Sequence, residues 1–100
     1  MSDQKIDLAG ASWCGYTKKM EADIQQADDS DKVLFNVVDC SLEGNKDNQV
    51  CQGVSGFPTF KNATTGEVCH RGYADIGTIK DKCLNSPAWK ISLGKWVVLL

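Results

Sequence analysis

The most constraining feature of this chain is a pair of short apolar runs separated by one amphipathic segment. Residues 6–11 are apolar and short, and Ala9, Gly10 and Ala11 are too small for a surface strand, so this run reads as a tightly packed buried strand ending at Ser12. From Tyr16 onward the spacing Met20, Ile24, Ala27 gives one apolar helical face, opposed by Lys18, Lys19, Glu21, Asp23 and Gln25. Asp28-Asp29-Ser30-Asp31 breaks that helix. Val33-Leu34-Phe35-Asn36-Val37-Val38 is near-continuously apolar and β-branched, the pattern of a strand covered on both faces in a parallel sheet. Strand, helix and strand in this order make a right-handed βαβ unit.

The second half changes character. A weaker helix is expected over residues 43–52, with Val50 and Cys51 as its main apolar residues and Gly53 as its end. Phe57-Pro58-Thr59-Phe60-Lys61, the turn residues Asn62-Ala63-Thr64-Thr65-Gly66, and residues 67–73 form a hairpin pattern. Asp75 is placed to cap a last helix whose Ile76, Ile79, Cys83 and Leu84 fall on one stripe facing the sheet. The expected fold class is therefore α/β, with a central four-stranded mixed sheet, the order β-α-β-α-β-β-α, and flanking helices. The expected domain spans residues 1–86. The tail, residues 87–100, alternates Trp89, Ile91 and Leu93, then runs apolar from Trp96 to Leu100. About 12 residues are too few for a bilayer crossing of roughly 20, so the tail is expected to pack on the domain or on a partner.

With 100 residues there is room for one small domain. The formal charge is −2 with no basic cluster, which removes the electrostatic footprint that nucleic-acid binding needs. A monomer that stays off membranes is expected. Five cysteines leave one thiol without a partner. If that one is Cys14, the others can pair as Cys40 with Cys51 and Cys69 with Cys83, although sequence alone permits three connectivities. Met1-Ser2-Asp3-Gln4-Lys5 is a polar start with no charged-then-apolar leader, so the expectation leans to the cytoplasm. Bonded pairs would instead favour an oxidising compartment.

Cys14 lies between a strand end and the first turn of a helix, where unpaired N–H groups and the positive end of the helix dipole stabilise thiolate over thiol. Lys18, one turn on, is expected to add positive charge and lower its pKa further. Cys69 in a strand and Cys83 on the last helix could meet, because that helix packs back on the strand; burial as two free thiols is the equal alternative. The lone His70 has no companions at ligand spacing, so no metal site is expected, and no motif supports its pairing with Cys14. Asn62-Ala63-Thr64 fits a glycosylation acceptor, a triplet that also arises by chance.

Ala11-Ser12-Trp13-Cys14-Gly15, together with Val54-Ser55-Gly56-Phe57-Pro58-Thr59-Phe60, resembles the thioredoxin superfamily across roughly residues 5–84. The resemblance implies a cis proline at Pro58 facing Cys14, and a substrate strand held by Phe57, Pro58 and Thr59. Trp13, Gly15, Tyr16 and Thr17 then complete the active-site turn, which is glutaredoxin-like in sequence. Three departures stand out. Thr17 occupies the place of the resolving cysteine, Gly15-Tyr16-Thr17 replaces Gly-Pro-Cys, and Leu8 occupies the place of the buried acid. The chain also lacks the first strand and helix of full thioredoxins. It is similar to the small thioredoxin-like domains fused to bacterial vitamin K epoxide reductase homologues, where a second cysteine pair lies near the places of Cys40 and Cys51. By that resemblance the two would be bonded; the alternative is two small hydrophobes in the core.

The function expected from the resemblance is that of a monothiol thiol–disulfide oxidoreductase. Cys14 would attack a protein or glutathione disulfide, and an external thiol would release it, since a hydroxyl at Thr17 cannot perform exchange. No bound cofactor is expected, with glutathione as a candidate co-substrate. Two alternatives remain: a client-binding module of low turnover using the groove beside Pro58, and a glutaredoxin-like iron–sulfur carrier. Against the latter, Gly-Phe-Pro stands where the cluster-carrying relatives have Thr-Val-Pro.

Overall fold

The computed structural model describes residues 5–84. The small central residues of the first run allow close packing on every side, and β1 (Ile6–Gly10) becomes an inner strand. It pairs in parallel with β2 (Phe35–Asp39) and antiparallel with β3 (Thr59–Asn62), which pairs antiparallel with β4 (Val68–Arg71). The strand order is β2-β1-β3-β4, a four-stranded mixed sheet in a small α/β domain. Leu8 sits opposite Val37 on one side and Phe60 on the other.

The period-2 geometry of the strands sorts side chains to two unequal faces. Ile6, Leu8 and Phe60 share one face with Met20 and Ile24 of α1 (Gly15–Gln25) and with Ile79 and Cys83 of α3 (Ile76–Cys83). Both long helices therefore cover the same side. Asp75 caps α3 as its sequence implies, its Oδ1 accepting from the Thr78 amide at 2.8 Å. α3 is also tied across the domain by Lys80 Nζ to Asp31 Oδ1 at 2.8 Å. The Tyr73 hydroxyl donates to Asp23 of α1, and Lys19 Nζ lies 4.9 Å from the Tyr73 ring centre.

The opposite face differs from the sequence expectation. In place of the second helix of the β-α-β-α-β-β-α order there are two 3-10 turns, Glu43–Asn45 and Gln49–Cys51. Val50 is the buried apolar residue these turns supply, too little to hold a full helix on the sheet, and the Asn48 side chain accepts from the Val50 amide at 2.8 Å. Lys61 holds this segment instead. It is 6% exposed, and its Nζ donates to the carbonyls of Gln49 and Gln52 at 3.1 and 2.8 Å. Among the described residues, α-helices thus flank the sheet on one face. A short α2 (Asp29–Lys32) forms where the acidic run was read as a plain break.

β2 is a second correction. Val33 and Leu34 precede the strand, and β2 is an edge whose Asn36 and Val37 are exposed, Val37 by 40%. Its apolar run reflects β propensity rather than burial on both faces.

The register of the hairpin shifts between Phe60 and Lys61, with Val68 opposite Lys61 and His70 opposite Phe60, which leaves Cys69 as the extra residue. Cys69 is bonded to Cys83 with 5.2 Å between Cα atoms, and Cys40 to Cys51 with 5.7 Å. Asn62 is committed to structure. Its Oδ1 accepts from the amides of Thr64 and Thr65 at 2.8 and 3.1 Å, and its Nδ2 donates to the Cys83 carbonyl at 2.8 Å, so the acceptor triplet closes the hairpin turn. Gly66 completes that turn at φ +78°. The boundary at residue 86 and the tail, residues 87–100, lie outside the described residues. Among the described residues, no helix is long and apolar enough to cross a membrane.

Candidate functional site

β1 ends at Gly10 and α1 begins at Gly15, and the turn between them carries Ser12, Trp13 and Cys14. Cys14 is the helix N-cap, with extended backbone at φ −92° and ψ 124°. It is half-buried and is the free cysteine of the five. As a thiol, its Sγ donates to the Phe57 carbonyl at 3.7 Å, bringing residues 14 and 57 together from opposite halves of the chain. The Phe57–Pro58 peptide is cis. Pro58 and Thr59 are buried behind it, with Thr59 Oγ1 donating to the Gly56 carbonyl at 2.7 Å.

The rim around this thiol is aromatic. Trp13 is 69% exposed and Tyr16 64%, and Trp13 packs edge-on against Phe57 with ring centres 5.8 Å apart. Gly15 leads into the helix, and Thr17 turns inward, 1% exposed, with its Oγ1 accepting from the Ala11 amide at 3.2 Å. All the residues expected at the turn and at the Phe57-Pro58-Thr59 segment therefore converge at the carboxyl end of β1.

The Cys14 thiol is held below its ordinary pKa. The largest cause is a hydrogen bond from the Thr17 amide, then one from the Thr17 hydroxyl; partial burial opposes them, and the Tyr16 amide adds a smaller push downward. Lys18 does not figure among these causes, which corrects the expectation of a charge effect from one turn away. Its position in the first turn is taken up with the backbone, its amide donating to the Cys14 carbonyl at 3.1 Å.

Sequence reading missed the support beneath this turn. Asp39 at the end of β2 accepts from the Ser12 amide at 3.2 Å, the Ser41 amide at 2.9 Å and the Ser41 hydroxyl at 2.5 Å. Ser12 and Ser41 hydroxyls are 3.1 Å apart, and the Cys40 amide donates to the Gly10 carbonyl at 2.7 Å. The Ser41 hydroxyl, followed by its amide, holds the Asp39 carboxyl below its ordinary range. No local pattern signals a contact between residues 12 and 39. Its only trace is a short polar residue on each side of the βαβ unit.

His70 stands outside the site, beside Phe60 with ring centres 6.0 Å apart. Its Nε2 is a buried polar atom without a hydrogen-bond partner among the described residues. Burial first, then the Lys82 charge, lowers its pKa from the ordinary 6.5. The unfolded chain therefore takes up this proton before the folded one. Stability is fully present above about pH 6.5 and is lost as pH falls below it toward the depressed folded value. Urea unfolding at pH 7.5 and pH 5.5 should show this loss in the parent and a smaller one in His70→Phe; equal losses would remove His70 as the cause.

Among the described residues, no group of three or more His, Cys, Asp or Glu side chains is placed to hold a metal ion. No protein-family model, no curated protein and no solved structure matches the chain.

Proposed function

We propose that this chain is a minimal thioredoxin-like domain that works as a monothiol thiol–disulfide oxidoreductase. The observation that carries the proposal is Cys14 itself. It is an unbonded, half-exposed thiol in a chain whose four other cysteines are paired, its pKa is lowered by donors of the first helical turn, and it faces the Phe57 carbonyl. Thiolate is the attacking form in exchange. The exposed Trp13 and Tyr16, with the half-buried Phe57 against Trp13, form an apolar collar that suits a polypeptide substrate approaching that sulfur. Leu8, at the position of the family's buried acid, is fully buried in the apolar core, so that the acid and the resolving cysteine are missing together. With both cysteine pairs bonded, an oxidising compartment fits better than the cytoplasm.

In this reading Cys14 attacks a disulfide, forms a mixed disulfide with one half and releases the other as a thiol. An external thiol then frees Cys14. Purified protein supplied with glutathione and a mixed-disulfide substrate is expected to turn over, and Cys14→Ser to fall to the uncatalysed rate. Turnover that survives Cys14→Ser would overturn the role of this cysteine. Stable capture of clients with no turnover would favour the client-binding alternative, for which Thr17 in the resolving position is the supporting residue.

A further inference from the structure

The two disulfides differ in their surroundings. Cys40 and Cys51 are both half-buried, whereas Cys83 of the other pair is 1% exposed. Cys40 directly follows β2, and its amide donates to the carbonyl of Gly10, the last residue of β1, at 2.7 Å. Its two neighbours support the turn that ends at Cys14. Asp39 accepts from the Ser12 amide at 3.2 Å and from the Ser41 amide at 2.9 Å, and the Ser41 hydroxyl lies 3.1 Å from that of Ser12. Residues 39–41 are therefore the floor of the turn. Cys51, at the other end of the disulfide, belongs to an anchored segment. Val50 beside it is buried, and Lys61 of β3 donates to the carbonyls of Gln49 and Gln52, on either side of Cys51, at 3.1 and 2.8 Å. The chain between these two ends is held less firmly. Residues 43–45 form a 3-10 turn with no buried residue, and Asn45 Nδ2 donates to the Asp39 carbonyl at 2.9 Å. The covalent bond, rather than packing, carries the anchorage at Lys61 across to Asp39 and Ser41.

We propose that the Cys40–Cys51 disulfide is a redox clamp on the Cys14 site: closed, it holds Asp39 and Ser41 under Ser12, and opened by a small dithiol it frees that floor and slows the reaction of Cys14. The clamp regulates disulfide exchange only if Cys14 performs that exchange, as proposed above. Opening the bond returns conformational freedom to the loop between residues 40 and 51. The Ser12 amide is then held by a hydrogen bond at an exposed surface alone. As that bond opens, the turn between β1 and α1 loosens, and the arrangement that sets Cys14 Sγ 3.7 Å from the Phe57 carbonyl is populated less.

The opening step balances as follows. One thiol of the dithiol loses its proton to solvent, and its thiolate attacks one sulfur of the pair. A mixed disulfide forms, the bond between Cys40 and Cys51 breaks, and the other cysteine leaves as a thiolate that takes a proton from solvent. The second thiol of the reductant loses its proton and attacks the reductant's own sulfur in the mixed disulfide. The remaining cysteine departs as a thiolate and is protonated, and the reductant leaves as a cyclic disulfide. Two electrons have passed to Cys40 and Cys51, and the dithiol is oxidised.

The test compares the full chain with a variant carrying Cys40→Ala and Cys51→Ala. The control carries Cys69→Ala and Cys83→Ala, whose loop is of similar size, with a sequence separation of 14 against 11, and whose loss of stability is therefore comparable. Two quantities are read at fixed pH: the exchange rate of the Ser12 amide by NMR, and the rate of Cys14 alkylation by iodoacetamide. Opening the Cys40–Cys51 pair is expected to speed Ser12 exchange and to slow Cys14 alkylation, each about fivefold, the factor that one hydrogen bond of ordinary net strength supplies. The control is expected to leave both at the parent's values. Asp39→Ala in the otherwise unchanged chain is expected to give the same two changes, and to add nothing once the pair is absent. If the variant without Cys40 and Cys51 does not fold, the parent opened at this pair with dithiothreitol carries the test, with Cys14 followed by peptide mass; its two changes must reverse on reoxidation. Unchanged Ser12 exchange and Cys14 alkylation would overturn the proposal, as would equal changes in the control, since general loosening would then be the cause. Both changes in a protein without turnover on disulfide substrates would sustain the clamp and sink the proposed function. Turnover that is the same with the pair open or closed would sink the clamp and leave that function standing.

Discussion

Replacing Cys69 and Cys83 together by alanine is expected to lower the unfolding free energy by about 3 kcal/mol, the loss for opening a loop of about 15 residues. The reason lies in α3. It has eight residues, too few to be helical on its own. Its place on the sheet depends on Ile79, on the bond from Cys83 to Cys69, on the Asn62 bond to the Cys83 carbonyl and on the Lys80–Asp31 pair. Removing both disulfides should cost about twice as much. At about 0.05–0.15 kcal/mol per residue, a domain of this size holds about 5–15 kcal/mol in all, so the doubly substituted protein should sit near its unfolding threshold. Urea unfolding followed by circular dichroism measures both losses. A Cys69→Ala, Cys83→Ala protein within about 0.5 kcal/mol of the parent would show that packing alone holds the helix.

Gly10→Ala is expected to destabilise the domain by about 1–3 kcal/mol, the usual cost of forcing a methyl group into a filled space. The new Cβ would meet Thr17 Cγ2 at 2.5 Å, Leu8 Cδ2 at 3.2 Å and Thr17 Oγ1 at 3.2 Å. Thr17 cannot swing away cheaply, because it is β-branched, buried and bonded to the Ala11 amide. The start of α1 must shift instead. The same substitution should therefore raise the pH at which Cys14 becomes reactive, a coupling that a mere loss of stability would not produce. Thermal unfolding and the alkylation profile together check this. A variant as stable as the parent would mean that the turn adapts, and that Gly10 is not what seats Thr17.

Much of the architecture was legible because it rests on local rules. The period-2 and 3.6-residue patterns give β1, α1, the hairpin and α3, and Asp75 with Thr78 forms the cap that the residue type implies. Parity required one odd thiol, and the structure shows that it is Cys14. Elements failed where a local pattern had two outcomes. The polar stretch ahead of Val50 reads as a weak helix, yet one buried valine cannot hold a helix against the sheet, and carbonyl bonds to Lys61 bring out 3-10 turns. The run from Val33 to Val38 reads as a strand covered on both faces, but strand order is a long-range property, and among the described residues it places β2 at the edge with Asn36 and Val37 exposed.

The candidate site divides in the same way. Trp13, Cys14, Gly15, Tyr16 and Thr17 are contiguous, so the sequence by itself determined that a cysteine would stand at a helix start with a threonine hydroxyl three residues on. Which groups tune that cysteine depended on the tertiary structure. Thr17 points inward onto β1 and Lys18 outward, because successive helical residues are about 100° apart and only one of them can face the sheet. The approach of Phe57 to Cys14, the support of Ser12 by Asp39, and the choice of one cysteine pairing among three all join residues far apart in the chain. Sequence spacing carries no information on such contacts, since they form only when strand order brings the carboxyl ends of β1 and β2 and the approach to β3 to one edge of the sheet.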